Sequence, residues 1–197
     1  MGRLTNYLNE DTRQILFESL EKIEKKCGPY LKEARKRNFG MYSGRKGQGD
    51  KILIEKSVRK DRKPKDTPIK IHNRLDDMFE KETGIRLRSN SIFCTMDYDE
   101  ARKYGPPFMI FPIGNDYQLW YNENIRDLWS KISLLMVPGS NTIDDKTLEL
   151  LTKGHQRGFP RTDVEIMLHC DKYLGINTQW ISHNWLEDHF IKWLKGK

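Results

Sequence analysis

The 197-residue chain is 37% apolar, 32% charged and 11% aromatic, and carries a formal charge of +7. That length supports one domain with its own core, and aromatic residues spread along the chain exclude wholesale disorder. With no run of about 18 apolar residues and no apolar leader stretch, the chain is expected to be soluble and cytoplasmic, with no membrane partner.

The first predicted element is a helix capped by Asp11, with Gln14 as its capping-box partner and Ile15, Leu16, Leu20, Ile23 and Cys27 at helical spacing. Gly28-Pro29 interrupts it, and a second short helix over 30–37 completes a helical lead-in over 1–37. A short strand over 39–42 leads into a glycine-rich stretch with Gly44, Gly47 and Gly49. This either brings the backbone close to something or forms a turn. It is not a phosphate-binding P-loop, because Asp50-Lys51 stands where Lys-Ser/Thr is required. A strand over 51–55 precedes a basic run of Lys56, Arg59, Lys60, Arg62, Lys63 and Lys65, which reads equally as a solvated loop or as a phosphate contact.

Pro68 opens a helix reaching Thr83, with Ile71, Leu75, Met78 and Phe79 on one face and Gly84 closing it. A compact strand over 91–95 follows, then a short helix capped by Asp97 and ended by Gly105. Residues 108–113 form an apolar strand. Ile125, Leu128, Trp129, Ile132 and Leu135 mark a helix, and 141–154 hold another. Residues 164–169 and 173–176 read as a strand pair, and Trp185, Leu186, Phe190, Trp193 and Leu194 mark a last amphipathic helix. Strands dispersed among helices without βαβ alternation indicate an α+β fold in one domain spanning 1–197.

Two groupings carry candidate chemistry. In Asp163-Val164-Glu165, residues two apart share a strand face, so two carboxylates stand together before apolar Ile166-Met167-Leu168. Mutual repulsion raises the pKa of one, which suits a general base. The same pattern also fits a charged strand start at a solvent edge. In the strand over 91–95, Thr95 can hold a neighbouring carboxylate, although a plain strand–turn–helix reads the same way. His72, His155, His169, His183 and His189 are scattered and expected to be structural or exposed. Cys27, Cys94 and Cys170 show no CxxC spacing, so neither a metal nor a disulfide is expected.

Taken in order, these segments resemble the motifs of ADP-ribosyltransferases. That family has an Arg on an early strand, then an aromatic-x-Ser/Thr-x-Ser motif followed by a short helix with Ala and an aromatic. A later strand opens with Gln/Glu-x-Glu. Here Tyr42-Ser43-Gly44-Arg45 resembles the first, with Arg45 preferred and Arg59 and Arg62 as competitors. Phe93-Cys94-Thr95-Met96-Asp97, with Ala101 and Tyr104, resembles the second, and Asp163-Val164-Glu165 the third. Asp97 replaces the second hydroxyl and Asp163 replaces Gln or Glu. The block from Tyr104 to Gly114 also resembles phage-encoded relatives of this fold, which would place the protein in the host cytoplasm.

The resemblance implies split mixed β-sheets forming an NAD cleft, with N-terminal and peripheral helices. NAD would be the substrate, without a metal, and ADP-ribose would pass to a protein side chain or nucleic acid as nicotinamide leaves. Glu165 would stabilise the oxocarbenium-like transition state, Thr95 would orient Glu165, and Asp163 would serve the incoming nucleophile. Arg45, Tyr42, Phe93, Tyr104 and Arg62 would bind NAD. Three alternatives stay open. One is a non-enzymatic nucleic-acid-binding protein using the basic run and exposed Tyr98, Tyr104 and Trp120. The second is an RNA 2′-phosphotransferase reaction leaning on His and Arg, and the third is the same fold retained without activity. Nothing in the sequence fixes an oligomeric state.

Overall fold

The structure, a computed structural model, describes residues 10–64, 67–136, 142–181 and 185–196. Lys65, Asn141 and His183 lie outside the described residues, as do the side chains of Trp185, Leu186 and His189.

Helix α1 spans Glu10–Arg37, with non-helical backbone at Cys27 (φ −117°). Pro29 lacks an N–H and its ring crowds the preceding turn, so the two predicted helices meet at a kink. Asp11 is not the cap: it lies inside the first turn beside Glu10, where a negative charge favours the helix N-terminus. Helix α2 (Ile69–Thr83) ends on Gly84 in the left-handed conformation (φ 76°). Helix α3 (Tyr98–Arg102) is capped by Asp97, whose side chain accepts from Asp99 N and Glu100 N. Helices α4 (Leu128–Leu135), α5 (Asp145–Thr152) and α6 (Trp185–Leu194) follow.

The strands are β1 (Tyr42–Gly44), β2 (Leu53–Ser57), β3 (Ile92–Cys94), β4 (Pro107–Pro112), β5 (Gln118–Tyr121), β6 (Gln156–Arg157), β7 (Ile166–His169) and β8 (Lys172–Asn177). They form two four-stranded sheets, ordered β1-β4-β8-β2 and β3-β7-β5-β6. Every pairing among the described residues is antiparallel, which corrects the expectation of mixed sheets. The expected pairing of 164–169 with 173–176 is also corrected. After β7 the chain turns through Cys170-Asp171 into the other sheet, where β8 lies between β4 and β2. Both strands are central and almost wholly buried, so each takes neighbours on two sides from elsewhere. The glycine-rich stretch forms a turn, with Gln48 N donating to Arg45 O (3.2 Å) and Lys51 N to Gln48 O (3.1 Å).

Helix α1 covers the outer face of the first sheet. Cys27 Sγ donates to Phe111 O, the Tyr30 and Phe111 rings meet edge to face, and Lys22 and Lys26 pair with Glu55 of β2. The opposite face carries Ser43, whose hydroxyl donates to the Phe93 carbonyl of β3 (2.8 Å). In the second sheet, Ile92, Cys94, Ile166, Leu168 and Leu119 join this core. Phe93, Met167 and Trp120 are in register across β3, β7 and β5 and point the other way. There they meet a second cluster built on Leu75 and Phe79 of α2, Leu128 and Ile132 of α4, and Leu148 of α5.

Helix α3 seats directly on the end of β1. A Cβ at Gly44 would run into the Ala101 carbonyl and stand 2.8 Å from the Tyr104 backbone. Overpacking a backbone contact forces both elements apart, so Gly44→Ala is expected to cost about 3 kcal/mol. A lower denaturant midpoint at an unchanged slope would show it.

Candidate functional site

Glu165 sits at the head of β7, one register step beyond the Cys94↔Ile166 pair, and Thr95 holds the matching position beyond β3. Thr95 is bridged in turn to Tyr42: Tyr42 N donates to Thr95 O (2.7 Å) and Thr95 N to Tyr42 O (2.9 Å). The starts and ends of β1, β3 and β7 therefore converge. Residues two apart on a strand share a face, so Glu165 lies on the side of Met167 and Phe93, toward the helices.

The expected carboxylate pair does not form. Asp163 is exposed and Val164 is buried, whereas the Glu165 side chain is 20% exposed. Regular strand begins only at Ile166, so the alternation that would have placed Asp163 beside Glu165 does not extend back to it. Thr95 takes another role as well: its hydroxyl accepts from Asp97 N (3.1 Å), starting the turn into α3.

Arginines supply the partners of Glu165. Arg88, which sequence reasoning missed, is 6% exposed, and its Nη1 lies 4.0 Å from Glu165 Oε1. Its Nη2 donates to Thr67 Oγ1 (3.3 Å). Arg62 lies with its guanidinium carbon 3.9 Å from the Phe93 ring centroid, and Arg88 lies 5.3 Å from the same ring. Among the described members of the basic run, Arg62 is the one that turns inward, tied by its N–H to Ser89 O (3.3 Å). Arg59 is exposed and pairs with Asp61 at the surface (3.4 Å). Arg45 packs over Tyr173 (5.0 Å), on the strand beyond β4. Tyr42 is half-buried, edge to face with Tyr98, and Tyr104 is exposed at the end of α3. Trp120 is half-buried in the second core, so it does not offer the open stacking surface expected of it.

Arg88 is fixed from beneath by Asp76 of α2, which is fully buried. Asp76 Oδ1 accepts from Arg88 N (2.7 Å) and Ser89 N (3.2 Å), and Oδ2 accepts from Ser89 Oγ. His72 Nε2 lies 3.3 Å from Asp76 Oδ2 and 3.1 Å from Ser89 Oγ, and burial lowers its pKa. His155, packed on Phe79, is pushed down to about 4 by burial, and His169 Nδ1 is 2.9 Å from Asn90 O. All three histidines make hydrogen-bonding or ring contacts within the fold.

Burial pushes the Glu165 carboxyl up from its ordinary 4.5 to about 7. Arg88 and Arg62 pull it down and Asp127 pushes it up, but burial prevails. At 4.0 Å the Arg88–Glu165 contact is too long for a hydrogen bond, so neither charge recovers what it loses in leaving water. Arg62 is lowered to about 10, by burial first and then by Arg88.

Below pH 4.5 folded and unfolded chains both hold the proton. Between 4.5 and about 7 the unfolded chain loses it first, so stability falls as pH rises, and then levels. The full shift is worth about 3 kcal/mol, which partial exposure reduces to about 2. Glu165→Gln is therefore expected to melt higher than wild type at pH 8 and level with it at pH 4, by calorimetry at both.

A separate cavity of about 170 Å³ lies between α1 and β4, lined by Tyr30, Tyr42, Met109 and Phe111 among others, and does not include Glu165. No family model matches the chain, and neither a curated protein nor a solved structure matches it.

Proposed function

We propose that the chain transfers ADP-ribose from NAD to a macromolecular acceptor, with Glu165 at the reacting centre. The observation that supports it is the meeting of three sequence-distant segments. Tyr42 before Arg45 is bridged to Thr95, and β3 pairs with β7, which presents a mostly buried Glu165. Those are the segments whose motifs resemble the transferases, and a conjunction in space is a stronger demand than their order along the chain.

In the reaction, the bond between ribose C1′ and the nicotinamide nitrogen breaks, and its electron pair leaves with nicotinamide. Positive charge develops at C1′ and the ring oxygen. Glu165 in its ionised form opposes that charge at short range, in a site partly shielded from water. The acceptor nucleophile then bonds to C1′ and releases its proton to solvent or to a base. Turnover requires the carboxylate, so kcat/KM is expected to rise about tenfold per pH unit below 7 and level above it.

The test incubates the protein with NAD labelled in the adenylate and with separated protein and nucleic-acid fractions. Covalent label on one fraction, with nicotinamide released, supports the reading and names the acceptor class. Unchanged NAD with every fraction contradicts it.

A further inference from the structure

Arg88 is buried to 6% exposure, yet its Nε and Nη1 have no hydrogen-bond partner among the described residues. Arg45 also has buried Nε and Nη2 atoms without a partner. A guanidinium carries five N–H donors and does not escape the cost of burial by losing its proton. Arg62 shares the Phe93 ring with Arg88, which brings the two like charges together.

The negative charge nearby falls short of this. Glu165 stands 4.0 Å from Arg88, outside hydrogen-bond reach. Asp127 spends its Oδ1 on Trp129 N and Ser130 N and its Oδ2 on Ser130 Oγ, capping α4. Asp76 is occupied by the backbone of Arg88 and by Ser89. The arginines therefore outnumber the carboxylates free to meet them, around a half-buried ring.

We infer that Arg88 and Arg62, sharing the Phe93 ring, form a subsite for a phosphate group beside Glu165. A phosphate is the anion that satisfies this arrangement. It carries more charge than a carboxylate, and its oxygens accept from two guanidinium groups at once. The Phe93 ring holds both arginines in place before the ligand arrives, so little side-chain freedom is lost on binding. The phosphate can come from a diphosphate diester or from a terminal monoester, and both present the same oxygens. The subsite stands apart from the transfer reading, because it needs no turnover.

The experiment titrates ADP-ribose, ribose 5-phosphate and adenosine into the full chain by calorimetry at fixed ionic strength. Wild type, Arg62→Ala, Arg88→Lys and Glu165→Gln are compared, with melting curves to confirm folding. At least one phosphate-bearing probe is expected to bind and adenosine is not. Whichever probe binds more tightly identifies diester or monoester. Arg62→Ala and Arg88→Lys are each expected to weaken that probe by about tenfold or more, as loss of charge-assisted hydrogen bonds requires. Arg62 lies on a loop, so its variant keeps the test decisive if Arg88→Lys folds poorly. Glu165→Gln, which removes the opposing charge, binds at least as tightly as wild type. No binding by either phosphate probe, equal binding by adenosine, or affinity indifferent to Arg62→Ala overturns the subsite. A chain that binds the probe without consuming NAD keeps the subsite and loses the transfer reading.

Discussion

Glu165→Gln is expected to lower nicotinamide release from NAD by about 10²–10³-fold, the loss seen when one group aimed at a developing charge is removed. Gln keeps the shape and the hydrogen-bonding capacity of the side chain, so what changes is the charge. The carboxylate is worth more here than at an open surface, because burial has already raised its pKa to about 7. The same burial makes the ionised form costly in the resting protein. The substitution is thus expected to cut turnover while leaving the chain folded and, above pH 7, more stable. A variant that lost turnover by unfolding would show the opposite change in melting temperature. Initial-rate measurements beside melting curves at pH 8 separate the two.

The second large effect is on stability. Asp76→Ala is expected to cost about 4 kcal/mol, a large share of the roughly 5–15 kcal/mol that keeps an ordinary domain folded. Asp76 is fully buried and accepts from Arg88 N, Ser89 N and Ser89 Oγ, with His72 Nε2 at 3.3 Å. Deleting it leaves these donors buried together without an acceptor, beside a buried Arg88. Asp76→Asn preserves the Oδ1 acceptor for the Arg88 and Ser89 backbone N–H groups and is expected to cost about half as much. Urea unfolding of both variants checks the order. Equal midpoints in wild type and Asp76→Ala would show that the network contributes no net stability.

What the sequence revealed depended on how local each signal was. The Gly84 and Asp97 helix ends, the Pro29 kink and the apolar runs of β4 and β7 are written in neighbouring residues, and they appear where expected. β5 and β6 were not foreseen. Gln118-Leu119-Trp120-Tyr121 is short and mixed in polarity, and Gln156-Arg157 is two exposed residues paired to it, so neither carries a periodic signal. The assignment of β7 and β8 to different sheets is a long-range choice that two central strands settle through their other neighbours.

The candidate site divides the same way. Glu165 stood out because a carboxylate precedes an apolar strand, whereas Asp163 looked alike and turned outward where the strand had not begun. Arg62 was one basic residue in a run, and nothing local separates it from exposed Arg59. Arg88 lies in irregular chain between α2 and β3, beside Arg86, which spends its charge on Asp77 and Glu80 at the surface. Buried Leu87 between them was the one available hint that the chain turns inward there. The burial of Arg88 depends on Asp76, twelve residues earlier on a helix, and no sequence period records that contact.

The ionisation of Glu165 itself can be measured directly. Carbon-detected NMR titration of the side-chain carboxyl, assigned by comparison with Glu165→Gln, is expected to give a midpoint of about 7, well above the ordinary 4.5. Arg88→Met, which removes the nearest cation, is expected to raise it further. A midpoint at or below 4.5 in the wild-type chain would contradict a buried, weakly paired carboxyl and, with it, the proposed reacting centre.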